Sequence, residues 1–410
     1  MLIYENGNVR YKEYWQLQPA PYRISYTEIF EILSNAIKKR LISDVPIGVF
    51  LSGGIDSSTI VAISSKFMPT KTFTVGYEAR FVSYNELYYA RIVKNTFNTQ
   101  HHELIVKPNI HELLQKIVYY LDEPFGDSSA VPTYIISRFV RKKIVVALSG
   151  IGGDEVFGGY PRYIGMLLMR HYRKIPQQLR EFFAKISERF RESYESVNVI
   201  GWLKRFLRGA TFPPDMCYIS FVSFLRSGWL KKLLNFSVDI DVFSCHRKIF
   251  NTLNDELMAM FYLDMKTYLT DDLLFMADRM SMANSLELRV PFCDHKLLEV
   301  MLALPPTQKL KGYKLKSLFK SLLHKKHILP QEILTRRKQG FMIPLPYWVA
   351  GELRQLIHEK LSKTQLGKHG LVNYKFVEEI LNAHYSRKSN FADLIWALLI
   401  FQMWLENFSS

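Results

Sequence analysis

The stretch that most constrains this chain is residues 46–58, PIGVFLSGGIDSS. An apolar run of strand length ends in two glycines, after which Ile60, Val61 and Ile63 recur at helical spacing. Strand, turn and helix in that order put the turn at the carboxyl end of one element and the amino end of the next. Gly53 and Gly54 let the backbone approach a ligand closely, and the helix start offers free N–H groups to an anion. Ser52, Ser57 and Ser58 add hydroxyl donors. Asp56 is out of place in a phosphate cradle unless a cation intervenes, and Mg2+ bridging it to phosphate oxygens resolves the conflict. The bland alternative is an ordinary glycine-rich turn. The sequence contains no GxxxxGK[ST], so this is not the Walker loop.

The alternation continues from residue 44 to 159. Strands are expected at 71–77 (KTFTVGY), 102–106 and 143–148 (KIVVAL), and helices at 57–67, 85–97, 111–121 and 131–142. Pro132 suits the first turn of the last of these helices. Repeated strand–helix units predict an α/β fold with a doubly wound parallel sheet, whose ligands sit beyond the carboxyl ends of the strands. A second glycine-rich turn closes strand 143–148 at such an end. After Tyr160 the pattern turns mostly helical, and the first twenty residues read as an irregular lead-in. The expected division is a connector at 1–20, an α/β core at 21–165 and a helical remainder at 166–410, closely packed.

Composition narrows the partners. Nearly half the residues are hydrophobic, which excludes a disordered chain. No apolar run reaches the roughly 20 residues a bilayer requires; the longest, 392–405, is broken by Asp393 and Gln402 and reads as a buried helix. The start of the chain has no apolar signal segment. Cys217, Cys245 and Cys293 are too widely spaced for a disulfide framework, and a cytoplasmic location is expected. His101 and His102 are adjacent in a strand and point to opposite faces, so no metal cage forms from side chains alone. The formal charge of +16 concentrates in 170–191 and 309–338, mixed with apolar residues at helical spacing. Solvated helix faces explain it; a surface for nucleic acid or an acidic protein is the alternative. Neither a nucleic-acid nor a membrane partner is expected, and a homo-oligomer stays open.

The first turn resembles the SGGxDS loop of the N-type ATP pyrophosphatases, adenine-nucleotide alpha-hydrolase-like domains that cleave ATP between the α and β phosphates. Further segments resemble the synthetase domain of glutamine-dependent asparagine synthetases. These are residues 148–160 (LSGIGGDEVFGGY), 278–282 (DRMSM) with 288–294 (LRVPFCD), 311–316 (KGYKLK) with 337–341 (RKQGF), and 394–404; residues 122–129 (DEPFGDSS) also fit. The resemblance covers roughly residues 10–405 and implies site residues by position. Leu51, Val75, Ser149 and Gly150 would contact the nucleotide, together with residues 52–58. Asp56 and Asp154 would hold Mg2+ on the leaving pyrophosphate. Lys316 best fits the catalytic lysine, with Lys314 as its rival. Glu155 and Arg289 would bind substrate, Arg289 and Lys338 on weaker claims because helical domains also need such residues for internal ion pairs.

Two departures stand out. The family begins with a glutaminase domain whose N-terminal cysteine attacks glutamine; here Leu2 follows Met1, yet residues 11–19 (YKEYWQLQP) look like the connector that follows that domain. A synthetase half is therefore expected, fed by ammonia, an amine or a separate glutaminase subunit. Ile151 stands where the family carries Glu or Asp, thought to deprotonate or orient the amine, and where β-lactam-forming relatives carry Tyr. Its side chain is expected to project toward the acyl-adenylate, or else to pack against Phe157. The resulting expectation is a ligase that activates a carboxylate with ATP and passes it to ammonia or an amine, with aspartate the default substrate and a sugar acid or peptide alternatives. A non-catalytic nucleotide- or partner-binding remnant and a tRNA-modifying ATP pyrophosphatase are the competing readings. The last lacks a cysteine pair or a recognisable RNA module.

Overall fold

Asn6 and Gly7 both take positive φ, 51° and 76°, and close a two-residue hairpin turn. They join β1 (Leu2–Glu5) to β2 (Asn8–Tyr11) in register Leu2↔Tyr11 and Tyr4↔Val9. Within the lead-in expected to be irregular, residues 2–11 are therefore a hairpin, signalled by its Asn-Gly pair, and 12–20 carry no regular element. A computed structural model describes residues 1–408 except 21–23, 107–109, 196, 227, 339 and 341–342. The boundary expected at residue 21, and the Gln339 and Phe341 of the third motif, lie outside the described residues.

The sheet is built as the apolar runs dictate. β3 (Ile47–Phe50), β4 (Lys71–Gly76), β5 (Gln100–Ile105), β6 (Val146–Leu148) and β7 (Glu287–Arg289) lie in the order β5-β4-β3-β6-β7, and each neighbouring pair is parallel. Side chains alternate between two cores. Ile47, Val49, Leu51 and Leu148 pack with α1 (Tyr26–Lys39), α2 (Ile55–Ser64) and α3 (Leu87–Phe97). Phe73, Val75 and Ala147 pack with α4 (Ile110–Leu121) and α5 (Ala130–Arg141). Helices cover both faces, which is why the central strands β3 and β6 read as continuous apolar runs, whereas the edge strands β5 (QHHELI) and β7 (ELR) do not. At the start of α1, Ser25 and Glu28 form a reciprocal capping box.

Two features differ from expectation. β7 comes from the part of the chain expected to be helical and pairs with β6, so the sheet crosses the boundary drawn at 165/166. Its three residues carry too short a pattern to be told from a loop. Strand 143–148 is also shorter than expected, because only 146–148 pair. Beyond the second turn come α6 (Gly153–Phe157), α7 (Pro161–Tyr172), α8 (Gln177–Ser187) and α9 (Val199–Gly209); α7, with Phe206 of α9 and later helices, encloses a third core around Tyr163, Tyr218 and Phe261. The closing helix, Ala392–Phe408, buries Ile395, Trp396 and Leu399 as expected. Among the described residues no helix is long and apolar enough to cross a membrane.

The strand order fixes where a ligand goes. From β3 the chain winds outward through β4 and β5, then returns to the other side of β3 for β6 and β7. The winding reverses between β3 and β6, and the crevice beyond their carboxyl ends is where such sheets bind ligands. Both glycine-rich turns emerge there.

Candidate active site

Leu51 ends β3, and its N–H donates to the Phe73 carbonyl at 2.8 Å. The turn that follows is held by its own serines. Gly54 N–H donates to Ser52 Oγ at 3.2 Å, Ser52 Oγ lies 3.1 Å from Ser57 Oγ, and Ser57 Oγ donates to the Gly54 carbonyl at 3.2 Å. Gly54 caps α2 without a side chain, so the N–H groups of the first helical turn have no capping acceptor. Ser58 is fully buried and its Oγ has no partner. A helix start with free N–H groups is the kind of place that accepts an anion. Behind it, Arg336 donates to the Ser52 carbonyl at 2.8 Å and to Glu86 Oε1 at 2.5 Å, with its guanidinium 4.3 Å above the Tyr89 ring.

The second turn crosses the first. Ser149 N–H donates to the Arg289 carbonyl at 2.9 Å, which ties the turn to β7. Glycines permit the close approach of the two turns: a Cβ on Gly153 would sit 2.5 Å from Asp56 Oδ1, and one on Gly150 3.0 Å from Asp56 Cβ. Asp56 and Asp154 converge on Lys316. The Lys316 ammonium contacts the Asp56 carboxylate and lies 2.7 Å from Asp154 Oδ1. Lys316 is 3 % exposed and left-handed at φ 52°, immediately ahead of the helix Ser317–Lys325. Its N–H is held by the Gly158 carbonyl at 3.0 Å. Lys314 is exposed, which separates the two rival lysines. Lys338 also pairs with Asp154, so this weakly ranked residue belongs to the cluster.

The charges follow from burial and pairing. Burial works against a charged Asp154, but Lys316 and Lys338 overcome it and hold the carboxyl well below the usual range. Burial pushes Asp56 up, against the pull of Lys316 and with the help of the Asp154 charge. Burial also opposes the Lys316 charge, yet the two carboxylates raise its value. Asp56 Oδ1 is buried with no hydrogen bond. Among the described residues no group of three or more His, Cys, Asp or Glu could cage a metal. Two carboxylates, each with a buried oxygen that accepts no hydrogen bond, do fit an Mg2+ whose other ligands are phosphate oxygens and water.

A second polar pocket adjoins. Glu155 is 1 % exposed, accepts from the Tyr160 hydroxyl at 2.5 Å, and is pushed up to about 7 by burial and by Asp154. Arg162 lies 3.7 Å over the Tyr160 ring and pairs with Asp264 at 2.8 Å. Burial, with Asp127 nearby, pushes Asp272 up to about 8. Sequence reasoning missed Arg162, Arg336 and Asp272. For Asp272 the available signal was an acidic pair, Asp271-Asp272, in an otherwise apolar segment. Val75 is buried at the end of β4, beside the first turn. Arg289, expected to bind substrate, donates instead to the Arg40 and Ile42 carbonyls at 2.8 and 2.7 Å and to Glu287 at 2.6 Å. Those contacts brace β7 against the chain beyond α1 and do not join the acid–lysine cluster. Ile151 is partly exposed, while Phe157 stacks on Phe319 at 4.1 Å.

The switch point and the paired turns define a domain of the ATP pyrophosphatase fold. The asparagine synthase family model matches residues 28–406, and the chain belongs to that family. Asparagine synthetase [glutamine-hydrolyzing] 1 of Bacillus subtilis is 29% identical over 411 residues, covering 98% of this chain and 63% of the relative. Asparagine synthetase [glutamine-hydrolyzing] 3 of the same organism is 25% identical over 411 residues (94% and 60%). The Bos taurus asparagine synthetase [glutamine-hydrolyzing] is 27% identical over 323 residues (76% and 42%). The chain thus spans less than two thirds of the length of these relatives.

Proposed function

We propose that this chain is an ATP-dependent amide-forming ligase. A carboxylate oxygen of the substrate attacks the α-phosphorus of ATP, and the bond to the β-phosphate oxygen breaks. Pyrophosphate leaves with the electron pair, and an acyl-adenylate remains. The lone pair of ammonia or an amine then attacks the acyl carbon, AMP departs, and the nitrogen loses a proton. The observation that carries this reading is the meeting of Asp56, Asp154 and Lys316 where the turns after β3 and β6 cross.

Residues 52–58 bind the phosphates, with Leu51, Val75, Ser149 and Gly150 around the nucleotide. Asp56 and Asp154 would hold Mg2+, which supplies charge neutralisation on the leaving pyrophosphate. Lys316 offsets the charge that develops at the α-phosphate. Glu155 lies beside the substrate, and Ile151 offers the incoming nitrogen no base, so amide formation is slow. Aspartate is the default acyl donor. The nitrogen comes from ammonia, an amine or a separate glutaminase, and the reaction runs in the cytoplasm. ATP–pyrophosphate exchange against a panel of carboxylates tests the first half-reaction; no exchange with any of them leaves the non-catalytic reading, which Ile151 favours. Release of glutamate from glutamine by the purified 410-residue chain would overturn the assignment of nitrogen supply.

A further inference from the structure

The helices that leave the site carry their apolar residues on the wrong side for a core. Along α8 and the residues just after it, Leu179, Phe182, Phe183 and Phe190 are 48, 55, 42 and 52 % exposed. At 100° per residue Leu179, Phe182 and Phe183 fall, with the half-buried Ile186, in one stripe beside the face that Ala184 and Ser187 bury, and Phe190 follows just beyond the helix end. Helix α9 packs on α8 and exposes Val199, Trp202 and Leu203 at 58, 42 and 44 %. Clustered aromatic and aliphatic exposure on paired helices is a surface waiting for an apolar phase, not scattered noise.

The charges around it are sorted by sign. Acidic residues of the segment turn inward or are engaged: Glu188 pairs with Arg208 and Arg226 at 2.7 and 3.1 Å, and Glu192 pairs with buried Lys204 at 3.0 Å. Glu181 accepts from Gln177, and Glu195 from Ser83 and Tyr347. Lys174, Lys185, Arg189 and Arg191 remain exposed. A second copy of the chain would bring this cationic rim against itself, and a nucleic acid would leave the phenylalanine stripe without a partner. An apolar stripe rimmed by cations matches a bilayer with anionic headgroups, where the rings enter the acyl boundary and the cations meet the phosphates.

We propose that α8 and α9 form a docking surface for an anionic lipid bilayer, on which the protein lies without crossing it. The proposal departs from the expectation that the chain has no membrane partner. It stands independently of the reaction assigned to the crevice.

Vesicle co-sedimentation of the full 410-residue chain tests it. Binding to equal parts phosphatidylglycerol and phosphatidylcholine should exceed binding to phosphatidylcholine alone by about tenfold, and should weaken as salt rises. Phe182→Glu with Phe183→Glu should abolish binding, and Lys185→Glu with Arg189→Glu should remove the preference for the anionic vesicles. Circular dichroism and ATP–pyrophosphate exchange check that the variants fold. No binding to anionic vesicles by the wild type, or binding that the phenylalanine variant leaves unchanged, overturns the proposal. So does a concentration-dependent dimer in sedimentation velocity that the same variant dissociates, since the surface would then belong to a second copy.

Discussion

The turns after β3 and β6 occupy equivalent places in the sheet but are built differently. The first is knit mainly by its own serines, which bond to one another and to its backbone within six residues, with Arg336 behind it and Lys316 on its Asp56. The second is loaded with acid, Asp154 and Glu155 side by side, and depends on distant chain for its counter-charges, which arrive from Lys316 and Lys338. A local hydrogen-bond network suits binding a ligand whose charge is constant. A borrowed charge network suits a site where charge must develop and be met.

That contrast can be broken experimentally. The largest effect is expected at the shared carboxylates: Asp154→Ala or Asp56→Ala should abolish pyrophosphate release, a loss of at least about 10³-fold, with the far-ultraviolet spectrum unchanged. Normal turnover in either variant rules the site out. Next comes the borrowed cation. Lys316→Ala should slow pyrophosphate exchange by ~10²-fold or more, while Lys314→Ala, in an exposed position, stays within about twofold. Equal losses in both would dissolve the distinction between them.

Ile151→Glu probes the second turn alone. Restoring an acid should speed ammonia-dependent amide synthesis, by a margin toward the lower end of the ~10²–10⁴-fold typical of a general base, and leave exchange nearly constant. If the wild type already forms amide rapidly and the variant matches it, the position is irrelevant to proton transfer.

The smallest effect concerns pH. Glu155 titrates near 7 in the folded protein against about 4.5 in a free side chain. The folded state therefore holds a proton that the unfolded chain has lost across that window, and stability falls as pH rises through it. The difference corresponds to roughly 3 kcal/mol at full effect. In thermal scans from pH 5 to pH 7.5, Glu155→Gln should flatten the decline in melting temperature by a few degrees. A decline as steep as in the wild type would mean that other groups carry it.

How much of this was legible depends on distance along the chain. Residues 46–58 declared strand, turn and helix because every cue is local. The pairing of Asp56 with Asp154 required knowing that β6 returns beside β3, which the Leu148-Ser149-Gly150 run implied by resemblance alone. Arg336 gave no sign of its role: it sits among lysines and arginines, and only the fold brings it under Ser52. Arg289 looked like a substrate ligand because its neighbours match a motif, but its donors satisfy backbone carbonyls at the end of a helix and just beyond it. The hairpin at the start was readable from Asn6-Gly7 and went unread.

The placement of Lys316 bears on how the protein is made. Chains are synthesised from the amino end at about 5–20 residues per second. The strands β3 to β6 and both carboxylates therefore leave the ribosome well before β7, Lys316 and Lys338 exist. During that interval Asp56 and Asp154 have no lysine to meet, and bringing the two turns together would bury uncompensated charge. Closure of the crevice between the two turns therefore waits until Lys316 and Lys338 have been synthesised.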